Sequence, residues 1–236
     1  MHQRRVNSGF TLVELMLAMA FVSVLLLSVA MVAVQAGKIY NRGTVMKTVN
    51  QSGRTISDVI RRDFLQSSAT KIVNSANPVI VVRESGSVRS GRMCLGQYSY
   101  VWNMASAIDD PVVRRSGKGV VRSNGQAINL ARVLDEDAAL CQSTSDSYPM
   151  DIEPERVTHL LRPIDGTDVA IAVHDFTASR VTSANNSEAL YKVSFTLGTS
   201  AVAELQDMAC KPPEDNEANF NFCAINNFEM IVRTNG

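Results

Sequence analysis

The chain has 236 residues, a formal net charge of zero (23 basic and 23 acidic side chains) and an apolar content of 45%. That balance excludes a disordered polyampholyte and a uniformly basic nucleic-acid coat, and the length suffices for a single-core domain plus an appendage. Four cysteines and seven prolines exclude both a dense disulfide scaffold and a proline-rich linker protein.

The first element is a short basic leader, with His2, Arg4 and Arg5, that ends at Gly9. It runs into Phe10-Thr11-Leu12-Val13-Glu14 and then into Leu15 to Val34, twenty residues without a charge. At about 1.5 Å rise per residue such a helix covers roughly 30 Å, the hydrocarbon thickness of a bilayer. Ser23 and Ser28 are the polar breaks, and each can bond back to the carbonyl one turn earlier. A buried core helix is the alternative, but such helices rarely stay apolar on every face for so long. The arginines on the near side predict a cytoplasmic N-terminus, with everything after Lys38 outside the cytoplasm. An ordinary secretory signal, cut near Val34-Gln35-Ala36, competes with this reading. Its core is usually about 7 to 15 residues and has no use for an acid at its edge.

Glu14 needs a cation, because a carboxylate at a membrane helix centre costs about 2.5 to 3.5 kcal/mol and somewhat less at the lip. A cut after Gly9 would supply one as the new amine of Phe10, four residues away, on the same chain or on a neighbouring helix. The Gly-Phe-Thr-Leu-Val-Glu run after a basic leader resembles the class III signal of type IV prepilins and type II secretion pseudopilins. The resemblance covers residues 4 to 35. It implies cleavage after Gly9 by a prepilin peptidase, N-methylation of Phe10 and an assembly role for Glu14. It further implies a filament of sister pilin subunits, an inner-membrane assembly platform, a membrane-lipid stage before assembly, and no cofactor. Glu14 sets the chain apart from the tip subunit of secretion pseudopili, which typically lacks that acid.

The pattern turns amphipathic after Val34. Ile39, Met46, Val49, Ile56, Ile60 and Phe64 recur at helical spacing, with Lys38, Arg42, Lys47, Arg54, Arg61 and Arg62 elsewhere. Gly37, Gly43 and Gly53 weaken the helix by up to about 1 kcal/mol each. Gly37 and Gly43 read either as points where it can bend or melt or as close-packing residues. Arg54 and Asp58 have the spacing of an i,i+4 ion pair. The Gln51 to Arg54 and Asp58 to Phe64 segments resemble, more loosely, PilW-type minor pilins and the J-type minor pseudopilin. The predicted organisation is a leader over 1–9, a transmembrane assembly helix over 10–36, its amphipathic continuation over 37–68 and a β-rich head over 69–236.

In the head, strand-like runs are expected at 79–82, 98–102, 127–134, 157–164, 169–176, 191–197 and 228–232. In the last, Phe228, Met230 and Val232 share one face while Glu229 and Arg233 point away. No βαβ alternation is visible, so the fold class is α+β, a long helix on an antiparallel sheet, which is also the pilin head the resemblance implies. Cys94, Cys141, Cys210 and Cys223 permit three pairings or four free thiols, and none forms a Cys-x-x-Cys motif. The favoured pairing is Cys210–Cys223 with Cys94–Cys141; the former is similar to the disulfide-closed C-terminal segment of many pilins and would stabilise by about 3 kcal/mol.

Catalytic motifs are absent: neither Gly-x-Ser-x-Gly nor a phosphate-binding Gly-x-x-x-x-Gly-Lys loop occurs, and His159 and His174 lie in strand-like runs. The expectation is a non-enzyme. Glu214, Asp215, Asn216 and Glu217 form a weak calcium candidate without the spacing of a defined loop. Residues 83 to 122 carry seven cations (Arg83, Arg89, Arg92, Arg114, Arg115, Lys118, Arg122) and three anions, a local +4, with Tyr98, Tyr100 and Trp102 among them. DNA as a further partner would use such a surface. The acidic stretch from Asp135 to Glu155 makes a complementary subunit contact an equal explanation. Two other classes fit parts of the pattern: a membrane-anchored binding protein that never polymerises, and a secreted enzyme that begins near Gly37.

Overall fold

The computed structural model describes residues 10–110, 118–142, 151–161, 170–181, 189–201, 205–206, 208–212 and 222–235. It is an α+β protein, and its chain divides into two compact units, residues 1–41 and 42–236.

Helix α1 (Leu12–Gln66) is unbroken over 55 residues and passes through Gly37, Gly43 and Gly53. From Phe10 to Val34 every large apolar side chain is at least 49% exposed. Ser23 and Ser28 donate to the carbonyls of Met19 (2.8 Å) and Val24 (2.6 Å), so the two hydroxyls in this segment are satisfied inside the helix.

Within 42–236 the second half of α1 is buried along Val45, Val49, Gly53, Ile56, Ile60, Asp63 and Phe64. The spacings of four, four, three, four, three and one trace one helical face. That face passes through Val45. Met46 is 46% exposed and Ile39 lies on the exposed segment before residue 42, so both fall outside the inward stripe expected of them. Arg54 and Asp58 form no ion pair; both are exposed, and water competes for them at little cost. The helix ends where Ser67 N–H donates to Phe64 O and the Ser67 hydroxyl donates to the carbonyls of Asp63 and Leu95.

This half-helix lies against two antiparallel sheets. The first runs β1 (Val79–Glu84), β2 (Ser87–Cys94), β3 (Tyr98–Asn103), β6 (Leu130–Leu134) and β8 (Val157–His159), in that order. The second has the order β13 (Ile225–Arg233), β10 (Leu190–Thr199) and β9 (Ile171–Arg180). Ser85 and Gly86, both at positive φ, make the two-residue turn between β1 and β2 that matches strand twist. Short pieces complete the head: α2 (Ala105–Asp109), β4 (Arg122–Ser123), β5 (Gln126–Ala127), α3 (Ala139–Gln142), β7 (Asp151–Ile152), β11 (Leu205–Gln206) and β12 (Ala209–Cys210).

The core beneath the helix is an aromatic row that crosses both sheets. Trp102 stacks on Phe176 (4.2 Å between centroids), Phe176 on Phe195 (5.7 Å) and Phe195 on Phe228 (5.3 Å). Gly53 sits directly over the Phe228 ring, which any Cβ at that position would overlap. Gly37 and Gly43 have no such neighbour. Two disulfides, Cys94–Cys141 and Cys210–Cys223, tie β2 to α3 and β12 to the approach to β13.

Candidate assembly site: an uncovered apolar helix with an acidic lip

Leaving a Leu, Val or Phe side chain in water forgoes about 1.5 to 3 kcal/mol of burial. The segment from Phe10 to Val34 therefore needs a surrounding phase or partner that supplies apolar contact. None of its most apolar stretch is buried, so by length and composition it can cross a membrane.

At its start, Thr11 and Glu14 cap the helix reciprocally. The Glu14 carboxylate accepts from Thr11 N–H (2.9 Å) and from the Thr11 hydroxyl (2.9 Å), while Glu14 N–H donates back to that hydroxyl (3.3 Å). Thr11 is the N-cap and Glu14 the third helical residue, the spacing of a capping box. The carboxylate thus has a partner within its own chain. The sequence carried this signal as Thr-x-x-Glu ahead of an apolar run, and attention to the charge alone passes over it. Phe10 is described and exposed; Gly9 lies outside the described residues.

A second polar cluster fastens α1 to the head. Asp63, 2% exposed on the buried helix face, accepts two bonds from the Arg132 guanidinium of β6 (2.7 and 2.8 Å) and one from the Tyr100 hydroxyl of β3 (2.6 Å). The guanidinium also lies 3.3 Å over the Tyr98 ring. Burial and the neighbouring Asp63 charge push the Tyr100 phenol well above its ordinary range, and the Asp63 hydrogen bonds hold Arg132 cationic. The bidentate fork fixes both height and rotation of the helix on the sheet. Asp63 stands in the Arg-Asp segment singled out in the sequence, but as a buried clamp its role depends on Arg132, 69 residues away.

Asp135 plays a similar part at the far end of β6. Its carboxylate takes the Ser99 hydroxyl (2.7 Å), the N–H groups of Ala139 and Leu140 (3.0 and 3.2 Å) and Arg156 (3.4 Å). It thereby orients α3, whose Cys141 reaches Cys94.

The remaining candidates are dispersed. Arg92, Tyr100 and Trp102 are interior, and Arg89 lies 3.9 Å from Glu84; Arg114 and Arg115 lie outside the described residues. His174 occupies an irregularity where β9 and β10 change register, its Nε2 2.9 Å from Thr199 O, and burial lowers its pKa. His159 is exposed on β8. Glu214, Asp215, Asn216 and Glu217 lie outside the described residues. Among the described residues no group of three or more His, Cys, Asp or Glu side chains converges on a point that could hold a metal.

The class these features define is an α+β protein in which a long N-terminal helix, apolar and uncovered in its first half, packs by its second half on antiparallel sheets. That architecture is consistent with a pilin-like fold. Comparison with protein-family models, with curated proteins and with solved structures gives no match.

Proposed function

We propose that this chain is a non-enzymatic structural subunit, of the minor type, in a type IV pilus or pseudopilus filament. The precursor sits in the membrane by residues 12–34, with its head outside the cytoplasm. A prepilin peptidase cuts after Gly9 and the Phe10 amine is methylated. An inner-membrane platform then moves the helix from lipid into a bundle of sister helices. Glu14 selects the axial register there, by exchanging its Thr11 hydrogen bonds for the Phe10 amine of a neighbour.

One observation carries this reading. A helix wholly uncovered for the full thickness of a bilayer's hydrocarbon core, with a single acid at its lip, continues as the spine of a well-packed head. Transfer from lipid to a bundle keeps the apolar side chains out of water in both states. The acid is tolerable in both because Thr11 satisfies it in one and an amine in the other.

The capping box also favours a second reading, an anchored extracytoplasmic binding protein that stays monomeric, because Glu14 is already satisfied within its own chain. Glu14→Ala separates the two. The filament reading expects normal cleavage and at least a tenfold loss from sheared filaments. Wild-type amounts in the sheared fraction would reduce Glu14 to a helix cap.

A further inference from the structure

We infer that the head docks on a second copy of this chain through charge. The exposed back of α1 on one copy meets an acidic lip at the end of β6 on the next. This extends the filament reading to the head, and its test uses the uncleaved chain, so that failure here leaves the Gly9 cut untouched.

The back of α1 is a basic row. Lys47, Arg54 and Arg61 are all exposed and spaced by seven residues, which places them about 10.5 Å apart on one side of the helix with only roughly 20° of drift per step. Arg62 lies beside the row, and Asp58 is the one exposed acid among them. None of these side chains has an ion-pair or hydrogen-bond partner among the described residues. The opposite face of the same helix is sealed on the sheets, so the row is a charged helix face left without a counterpart among the described residues.

The counterpart is built elsewhere on the head. Glu136 and Asp137 project from the turn after β6, and Glu153 and Glu155 from the turn before β8; all four are exposed and unpartnered by their side chains among the described residues. The lip is held in place from below. Asp135 is locked by Ser99 and the α3 N–H groups, Arg156 bridges from Asp135 to Leu134 O (2.9 Å), and the Cys94–Cys141 bond fastens α3. Beside the turn after β6 lies an open cleft of about 310 Å³ lined by Leu134, Asp135, Glu136, Asp137, Ala139 and Arg156.

A second copy is the occupant these charges favour. The chain is neutral overall, so two copies approach without net repulsion, and row and lip carry opposite charge. Row and lip are different surfaces, so the contact is heterologous.

The test is zero-length carbodiimide coupling, which joins an amine to a carboxylate only in direct contact. An equal mixture of nitrogen-14 and nitrogen-15 labelled full-length chains in lipid nanodiscs or detergent identifies links between copies. R54K and R61K variants extend the coupling along the row. The expected result is inter-copy linkage of the row to Glu136, Asp137, Glu153 or Glu155 that falls roughly tenfold from about 0.01 M to 1 M salt, as the Debye length shrinks from roughly 30 Å to 3 Å. The K47E/R54E/R61E chain alone and the E136K/D137K chain alone should lose the linkage, and their mixture should regain it, with buried Trp102 fluorescence reporting an intact head throughout. Linkage that survives either reversal, or a mixture that fails to regain it, overturns the proposal. So does a wild-type mixture whose copies do not link while the basic row binds duplex DNA or anionic vesicles.

Discussion

Helix α1 has two halves that share a backbone and differ in everything the side chains do. From Leu15 to Val34 it is apolar all round and uncovered, and its two hydroxyls turn inward on the helix. From Val45 to Phe64 it is two-faced, with one stripe sealed on the sheets and the other charged. The first half carries no information about rotation, since every face is alike, and can be handed from one apolar environment to another. The second half is fixed in rotation and height by Asp63, Gly53 and the aromatic row. Specificity on this helix resides in its few polar and small residues, and its affinity for apolar surroundings in the rest.

That contrast can be broken most severely at the clamp. Asp63→Ala would strand the Arg132 guanidinium and the Tyr100 hydroxyl against the helix, at a cost of about 3 kcal/mol. For a head of this size that lowers the melting temperature by roughly 6 to 12 °C. Trp102 fluorescence during thermal unfolding of the full chain in detergent measures it. A substitution in the uncovered half, such as Leu26→Ala, should leave that temperature unchanged.

The glycines sharpen the same comparison with a smaller effect. Gly53→Ala drives a methyl into Phe228 and should cost about 1 to 3 kcal/mol. Gly43→Ala meets open space and should stabilise the helix by up to about 1 kcal/mol. Opposite signs from the same substitution ten residues apart, read by circular dichroism melts, would confirm that the helix is packed at Gly53 and open at Gly43.

The smallest effect is a pH dependence at His174. Its pKa is lowered in the fold, so the unfolded chain, titrating near about 6.5, binds the proton more readily. The stability this group contributes is present above the unfolded value and is lost as pH falls through the folded one. His174→Gln should flatten the slope of stability against pH below about 6.5 in denaturant titrations. An unchanged slope would remove His174 as its source.

Much of this was legible in the sequence. The uncharged run, the inward set at Met230 and Val232, and most strands announce themselves by length or alternation. Strand β2 did not, because its interior is built from Ser90, Gly91 and Arg92, and Gly91 is required where Trp102 crosses it. The run at 127–134 reads as one strand but splits into β5 and β6, because Asn129 turns aside to bond Ile171 O (2.7 Å). Val45 and Met46 are equally apolar, and only the position of the sheets decides which is inside. The Asp63 clamp needed a partner 69 residues away, which no local pattern specifies. The Thr11–Glu14 box was fully local, and is hidden only because the acid already had a more conspicuous explanation.

The central claim is that the chain is cut after Gly9 and then polymerises through its uncovered half. Intact-mass and N-terminal sequencing of the chain from membranes that also contain a prepilin peptidase tests this most directly. The account predicts a chain beginning at N-methylated Phe10. A chain that retains Gly9, or that begins beyond Val34, contradicts it.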